Sequence, residues 1–349
     1  MLLGADPAPD SVRESPPSVV TLIFSEPVTP AGAGMKVFSP SGRQVAAPAI
    51  SRGSVLEASV NGAELGTYVV SWQVFAADTH PSRGAFRFVV GHTSANPFSA
   101  LLDAPEVGTA SAAGVGLQAL ARWVHFIGFA LVVGVVGYGI LVRRTFAASM
   151  VGVGVSLLIG AEPLALLGQL ASLSFDGDTA LAVLGSTFGR LLGLRLGAAL
   201  LMWTLLATGR AWPLLATGAV IAVLDGASAH AIPGLPGVAQ LFVAIHVIAM
   251  GLWVGGLAAF VRAPDRRFGR YAAITFGVAV STGLLLAFAH TRFGSSLLTS
   301  DYGRTLLLKV LIVGVVAVAA ILRRHRLELA LVIGLIASAA IVAALPPPF

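Results

Sequence analysis

The sequence predicts a protein in two parts, an N-terminal antiparallel β-sandwich followed by a transmembrane bundle of eight α-helices. The chain of 349 residues is 56% hydrophobic and only 11% charged, a composition typical of integral membrane proteins. Residues 1–93 nevertheless contain 6 Lys or Arg and 7 Asp or Glu, as expected of a domain in water. The remainder consists mainly of apolar runs separated by short loops that contain arginine, which is the pattern of a multi-pass membrane domain.

Composition also excludes several functions. The chain has no cysteine, so disulfides, thiolate metal sites and covalent haem attachment are excluded. Neither Lys36 nor Lys309 follows a glycine-rich phosphate-binding loop, and ATP is therefore not an expected partner. The net charge of +6 resides in short loops between apolar runs, which indicates membrane topology rather than nucleic-acid binding. We predict a binding or transport protein without a catalytic site.

Residues 1–93 are predicted to form the β-sandwich because short runs of alternating polarity are separated by Pro and Gly at regular spacing. The predicted strands are 19–28, 34–40, 54–60, 66–77 and 84–91. Residues 94–116 are small, polar and rich in Pro and Gly, which is typical of a linker.

Residues 117–349 are predicted to form the transmembrane domain, since eight apolar runs can cross a bilayer of about 30 Å at about 1.5 Å per residue. These runs are 117–142, 147–170, 189–208, 211–225, 238–262, 268–289, 303–322 and 327–345. Arginines follow the odd-numbered runs, so these loops are expected in the cytoplasm, with the β-domain and both termini outside. Export would require a signal that lies upstream of Met1 or has been removed.

Two sets of residues are candidate metal ligands. Asp78 and His80 are two apart, so an extended backbone places them on one side, where they suit Cu(II) or Zn(II). The alternative is a turn in which Asp78 bonds to nearby backbone. In the membrane domain, His246 lies about two turns inside the fifth run and Met250 follows one turn later. A nitrogen with a soft sulfur favours copper, especially Cu(I).

Buried polar groups within the membrane are costly and need partners. His125 lies at a depth similar to that of His246 and is its predicted cross-helix partner, and His230 precedes the fifth run on the outer side. The alternative for each histidine is a hydrogen bond to a neighbouring helix. Two other intramembrane charges also need partners. Glu162 is expected to pair with Arg190 or Arg195, with cation binding as the alternative. Lys309 is expected to neutralise Asp301 or Asp225, or to extend its amine outward to the interface.

The N-terminal residues VTLIFSEPV, the D-x-H-P motif near residue 80 and the closing GAFRF resemble the periplasmic copper-binding CopC domain over residues 1–91. The resemblance implies a Greek-key β-sandwich and a Cu(II) site formed by Asp78, His80 and an amino-terminal histidine, which has no counterpart in MLLGADPAP. The runs IHVIAMGLWVGGL and YGR-x-L-x-x-K resemble the CopD membrane domain over roughly 117–345.

Together these resemblances imply a fused CopC–CopD copper protein of a bacterial plasma membrane that acts in copper homeostasis or resistance, with uptake as the usual direction. Its expected partners are copper ions, lipid and other extracytoplasmic copper carriers. Copper, as Cu(I) or Cu(II) in the membrane, would pass from Asp78 and His80 to His230, His125, His246 and Met250. Two alternatives remain: a haem-ligating electron carrier or metal reductase, and a copper sensor or scaffold that does not transport.

Overall fold

The computed structural model describes residues 2–76, 81–103, 112–173, 175, 177–229 and 236–345. The chain divides into two compact units. One comprises residues 1–114 together with 169–189, and the other comprises residues 115–168 together with 190–349. The segment 169–189 therefore belongs with the N-terminal domain, although in sequence it separates two apolar helices.

The described residues of the N-terminal unit form eight strands in two four-stranded sheets, in the orders β1-β3-β6-β5 and β2-β8-β7-β4. The strands are β1 (Leu2–Asp6), β2 (Val12–Arg13), β3 (Val19–Phe24), β4 (Val28–Phe38), β5 (Ile50–Arg52), β6 (Val55–Ser59), β7 (Gly66–Ala76) and β8 (Pro81–Val90). Neighbouring strands are antiparallel except β2 and β8, which pair in parallel over two residues. The five predicted runs all contain strand, but the first ends at Phe24, before Pro27, and a new strand begins at Val28.

Side chains from both sheets form one buried core in this unit. Leu22 and Leu56 come from the first sheet, and Tyr68, Trp72 and Phe88 from the second. The rings of Tyr68 and Phe88 are stacked with centroids 5.1 Å apart. The Tyr68 hydroxyl donates to the carbonyl of Glu64 at 2.8 Å, so its burial leaves no unsatisfied donor.

The first residues of the predicted linker are attached to the β-domain. The Asn96 side-chain amide donates to the carbonyls of Ser39 and Thr67, both at 2.9 Å. Phe98 stacks on Phe38 with ring centroids 3.9 Å apart, and a short 3₁₀ helix follows at Ser99–Asp103. These contacts extend the folded domain beyond residue 93.

Eleven α-helices follow in the described part of the chain. They are α1 (Ala112–Phe129), α2 (Val135–Tyr138), α3 (Ala148–Ser172), α4 (Gly177–Gly185), α5 (Thr187–Leu206), α6 (Ala211–Ala227), α7 (Pro236–Arg262), α8 (Phe268–Thr291), α9 (Ser296–Thr299), α10 (Asp301–Ile321) and α11 (His325–Ala344). Among the described residues, seven helical segments are long and apolar enough to cross a membrane. The shorter apolar helix α6 coincides with the fourth predicted run, which was also the shortest.

The first apolar helical segment contains two π-helical stretches, Ala130–Gly134 and Gly139–Arg143, on either side of α2. It packs closely on α7 at the first of these stretches. A Cβ added to Gly255 would collide with the carbonyl of Ala130 and the backbone of Gly134. Glycine is therefore required at position 255 because backbone meets backbone there.

Candidate functional site

Four helices bring four ionisable side chains together inside the helical unit: His125 of α1, Glu162 of α3, Arg195 of α5 and Asp225 of α6. His125 Nε2 lies 3.0 Å from Asp225 Oδ2, and its Nδ1 lies 3.4 Å from Glu162 Oε1. Arg195 donates to Glu162 through Nε and to Asp225 through Nη1, both at 3.3 Å. Each of these side chains is at most 13% exposed. We call this group the four-helix charge cluster.

The geometry of the four-helix charge cluster favours the protonated form of His125. Both ring nitrogens face carboxylate oxygens, and a neutral imidazole has only one N–H. Both contacts are favourable only if His125 is an imidazolium that donates from each nitrogen. Two carboxylates are then balanced by one guanidinium and one imidazolium, which is the condition under which buried charges are tolerated.

The observed ion pairs confirm one predicted pair and give other partners to the two carboxylates that were proposed for Lys309. Glu162 pairs with Arg195, as predicted. Asp225 pairs with His125 and Arg195 rather than with Lys309. The other carboxylate proposed for Lys309, Asp301, lies 4.0 Å from Arg304 instead.

The predicted partnership between His125 and His246 also differs from the observed contacts. His125 contacts carboxylates of α3 and α6, whereas His246 contacts α8. A copper ligand needs a lone pair on a ring nitrogen, and both nitrogens of His125 face carboxylate oxygens in this arrangement. Copper binding by His125 remains a prediction, and it would require one ring nitrogen to exchange its carboxylate for the metal.

His246 has the geometry of a histidine with one nitrogen available for metal. Its Nδ1 donates to the carbonyl of Ala279 at 2.9 Å and lies 3.0 Å from the Thr282 hydroxyl oxygen. The Thr282 hydroxyl itself donates to the carbonyl of Val278 at 2.7 Å. Because Nδ1 carries the proton, Nε2 of the neutral ring carries the lone pair, an arrangement common in metal-binding histidines.

The surroundings of His246 are tightly packed. A Cβ added to Gly283 would lie 3.1 Å from Cε1 of the ring, so the imidazole lies directly against α8. Met250 is half-buried and packs against the core of the helical unit. Trp253 is buried, with its ring centroid 4.9 Å from that of Phe276.

Three predicted ligands, Asp78, His80 and His230, lie outside the described residues. The flanking strands are described: β7 ends at Ala76 and β8 begins at Pro81, with Phe75 opposite Pro81. Across the described ranges, no group of three or more His, Asp or Glu side chains is arranged to hold a metal ion. The metal sites therefore remain predictions from sequence.

Sequence reasoning missed the role of Asp225. It was placed at the end of a short apolar run, and its pairing with His125 joins residues one hundred positions apart. One signal was available, because four ionisable groups at similar depth in neighbouring membrane segments must neutralise one another.

Comparison with known proteins identifies the N-terminal part of the chain. Residues 2–91 match the CopC domain family. No match was found among curated proteins. Among solved structures, CopC from Methylosinus trichosporium OB3b is 25% identical, with 28% of this chain and 98% of that chain covered and a TM-score of 0.25. Two structures of PcoC, a copper resistance protein from Escherichia coli, are 27% and 28% identical to this chain. Each match covers 26% of this chain, and the two matches cover 98% and 95% of the PcoC chains, both with a TM-score of 0.23.

These observations define a class of protein: a CopC domain followed by a helical part with several apolar helices. A CopC domain indicates a role in copper binding or copper resistance. The helical part is compatible with a fusion of this domain to a membrane protein.

Proposed function

We propose that this protein captures copper with its CopC domain outside the plasma membrane and passes it to the helical unit for import. Asp78 and His80 hold Cu(II) in the CopC domain. His246 and Met250 receive the ion in the CopD-like helical unit, and His230 and His125 are the other predicted ligands on its path. Other extracytoplasmic copper carriers are possible donors.

The observation that supports this function most directly is the CopC domain match in a chain that continues into membrane-length helices. The hydrogen bonding of His246 supports the membrane step. Its Nδ1 is held by the Ala279 carbonyl, so the lone pair of Nε2 is available to a soft or borderline metal such as copper. Met250, four residues later on the same helix face, would add a thioether sulfur.

Import is favoured by the predicted topology and by the chemistry of the chain. The arginine-rich loops predict that the CopC domain is outside, where it would meet incoming copper. The sequence contains no phosphate-binding loop that could drive export with ATP. A haem held jointly by His125 and His246 is less well supported, because both ring nitrogens of His125 face carboxylates in the four-helix charge cluster.

Copper binding by the CopC domain can be tested on the purified full chain. Cu(II) titration followed by electron paramagnetic resonance should give a signal with nitrogen coupling from His80. The substitutions Asp78→Asn and His80→Ala should each weaken binding at least several-fold. His92→Ala changes an exposed histidine of the same domain and is the matched control. Unchanged binding in both site variants would remove Asp78 and His80 from the proposal.

A further inference from the structure

The segment 169–189 joins two membrane-length helices and also forms part of the N-terminal unit. It leaves the membrane helix α3 at Ser172 and enters the next, α5, at Thr187. Within the N-terminal unit its helix α4 packs against β4. Arg83 of β8 donates through Nη1 to the carbonyl of Leu173 at 3.1 Å. The segment is therefore fixed to the β-domain at a residue three positions after His80.

Helix α4 has two faces of different character. Thr179 and Val183, one turn apart, are buried. Leu181 and Leu184 lie on the opposite side of the helix and are 71% and 48% exposed. Phe175, just before the helix, is 69% exposed. Helical geometry places positions i and i+3 or i+4 on a common face, so Leu181 and Leu184 form one surface, which we call the α4 apolar face.

Water is an unfavourable environment for the α4 apolar face. Large apolar side chains that cluster on one exposed surface mark an interaction site. Both ends of the segment continue into membrane-length helices, and the segment has only about fourteen residues between them. Such a short connection limits how far the helix can lie from the boundary between headgroups and acyl chains, where amphipathic helices insert about 5–10 Å.

We propose that α4 is an interfacial helix whose apolar face, formed by Leu181 and Leu184, inserts into the outer leaflet. Its opposite face packs against β4 of the β-domain. Arg83 attaches the segment to β8, the strand that follows Asp78 and His80 in sequence. The contact with lipid would keep the CopC domain close to the bilayer. The partner is the acyl and headgroup boundary of the membrane, and this inference does not depend on copper transport.

The chain has no cysteine, so single cysteines can be introduced and labelled with a fluorophore without removing native thiols. The probe positions are Leu181→Cys and Leu184→Cys, in full-length protein reconstituted into phosphatidylcholine and phosphatidylglycerol vesicles. The matched control is Ile50→Cys in β5, since Ile50 is 64% exposed and belongs to the same unit but not to α4. Each sample is titrated with iodide in water and, separately, with nitroxide attached to lipid near the headgroup.

If the α4 apolar face is inserted, lipid nitroxide should quench the labels at Leu181 and Leu184 several-fold more than the label at Ile50. Iodide should quench the label at Ile50 more than the labels at Leu181 and Leu184. Equal iodide quenching at all three positions would show that the α4 apolar face is in water and would overturn the proposal. Protection at Leu181 and Leu184 from both quenchers would show that protein covers this face, either a second copy or another chain. That result would also overturn it.

Discussion

The imidazole of His125 lies between two carboxylates from different helices, with Nε2 3.0 Å from Asp225 and Nδ1 3.4 Å from Glu162. Arg195 contacts the second oxygen of each carboxylate. Four helices that are distant in sequence thus share one charge-balanced centre. Removing any member leaves an uncompensated charge in a buried site. The free-energy cost of that charge is larger than the net stabilisation that an intact buried ion pair provides.

Asp225→Asn should destabilise the helical unit strongly. The change keeps the shape of the side chain but removes a negative charge that faces both His125 and Arg195. Breaking a buried ion pair in this way costs about 3–5 kcal/mol. Thermal unfolding in detergent, followed by far-ultraviolet circular dichroism, should show a clear fall in midpoint.

The matched control for that experiment is Asp301→Asn. Asp301 lies 4.0 Å from Arg304 in a pair whose side chains are 85% and 66% exposed. Exposed ion pairs contribute only about 0–1 kcal/mol, so the midpoint should change little. Equal shifts for the two variants would contradict the idea that the four-helix charge cluster stabilises the fold.

Gly255→Ala should destabilise the protein through a steric clash. The added Cβ would collide with the carbonyl of Ala130 and the backbone of Gly134, and neither can move without shifting the π-helical stretch. Overpacking of this kind costs about 1–3 kcal/mol.

Gly314→Ala in α10 is the control, since an added Cβ there meets nothing within 4 Å. This substitution should be neutral or stabilising by up to about 1 kcal/mol. The same thermal unfolding measurement separates them, and a Gly255→Ala midpoint at or above that of Gly314→Ala would refute the close approach.

The stability of the CopC domain should fall at acidic pH because of Glu64. Its carboxylate accepts from Arg43 at 2.8 Å and from Ser41 N at 2.9 Å, and these bonds lower its pKa from 4.5 to about 2, with Arg43 the largest cause. A carboxylate whose pKa is lower in the folded state stabilises fully above its unfolded pKa of 4.5. That contribution is lost as pH falls towards about 2.

Hydrogen–deuterium exchange of the β7 backbone, measured on the full chain across this pH range, tests the role of Glu64. Glu64→Gln and Arg43→Gln should each flatten the dependence of protection on pH. Arg52→Gln removes the same charge at an exposed position of β5 and should preserve the wild-type profile. A wild-type profile in Glu64→Gln would show that the carboxylate does not contribute.

Local periodicity was sufficient to predict much of the fold. The five predicted strand runs all contain strand, and the apolar runs correspond to α-helices. Of the strands that were missed, β2 and β5 have only two and three residues, too few for alternation to be detected, and β1 (LLGAD) does not alternate between apolar and polar residues. The first π-helical stretch packs against α7, a contact between distant segments that a local pattern does not contain.

The candidate site was predicted less completely than the fold. The Glu162–Arg195 pair followed from the cost of isolated charge in a membrane. The partners of His125 did not, because contacts across four helices depend on helix rotation. Sequence also gave no indication that 169–189 packs with the β-domain, since α4 lies between two membrane-length helices and looks like an ordinary loop.

The central claim is copper movement through the helical unit by way of His246, and copper accumulation in vesicles tests it most directly. Full-length protein is reconstituted with the CopC domain outside, external copper is supplied, and internal copper is measured over time. The account predicts accumulation by wild-type protein and its loss in His246→Ala, with Cu(II) binding at the CopC domain retained. The matched control His92→Ala should accumulate copper as wild type does. Wild-type protein that accumulates no more copper than protein-free vesicles, or a His246→Ala variant that accumulates as much as wild type, would contradict it.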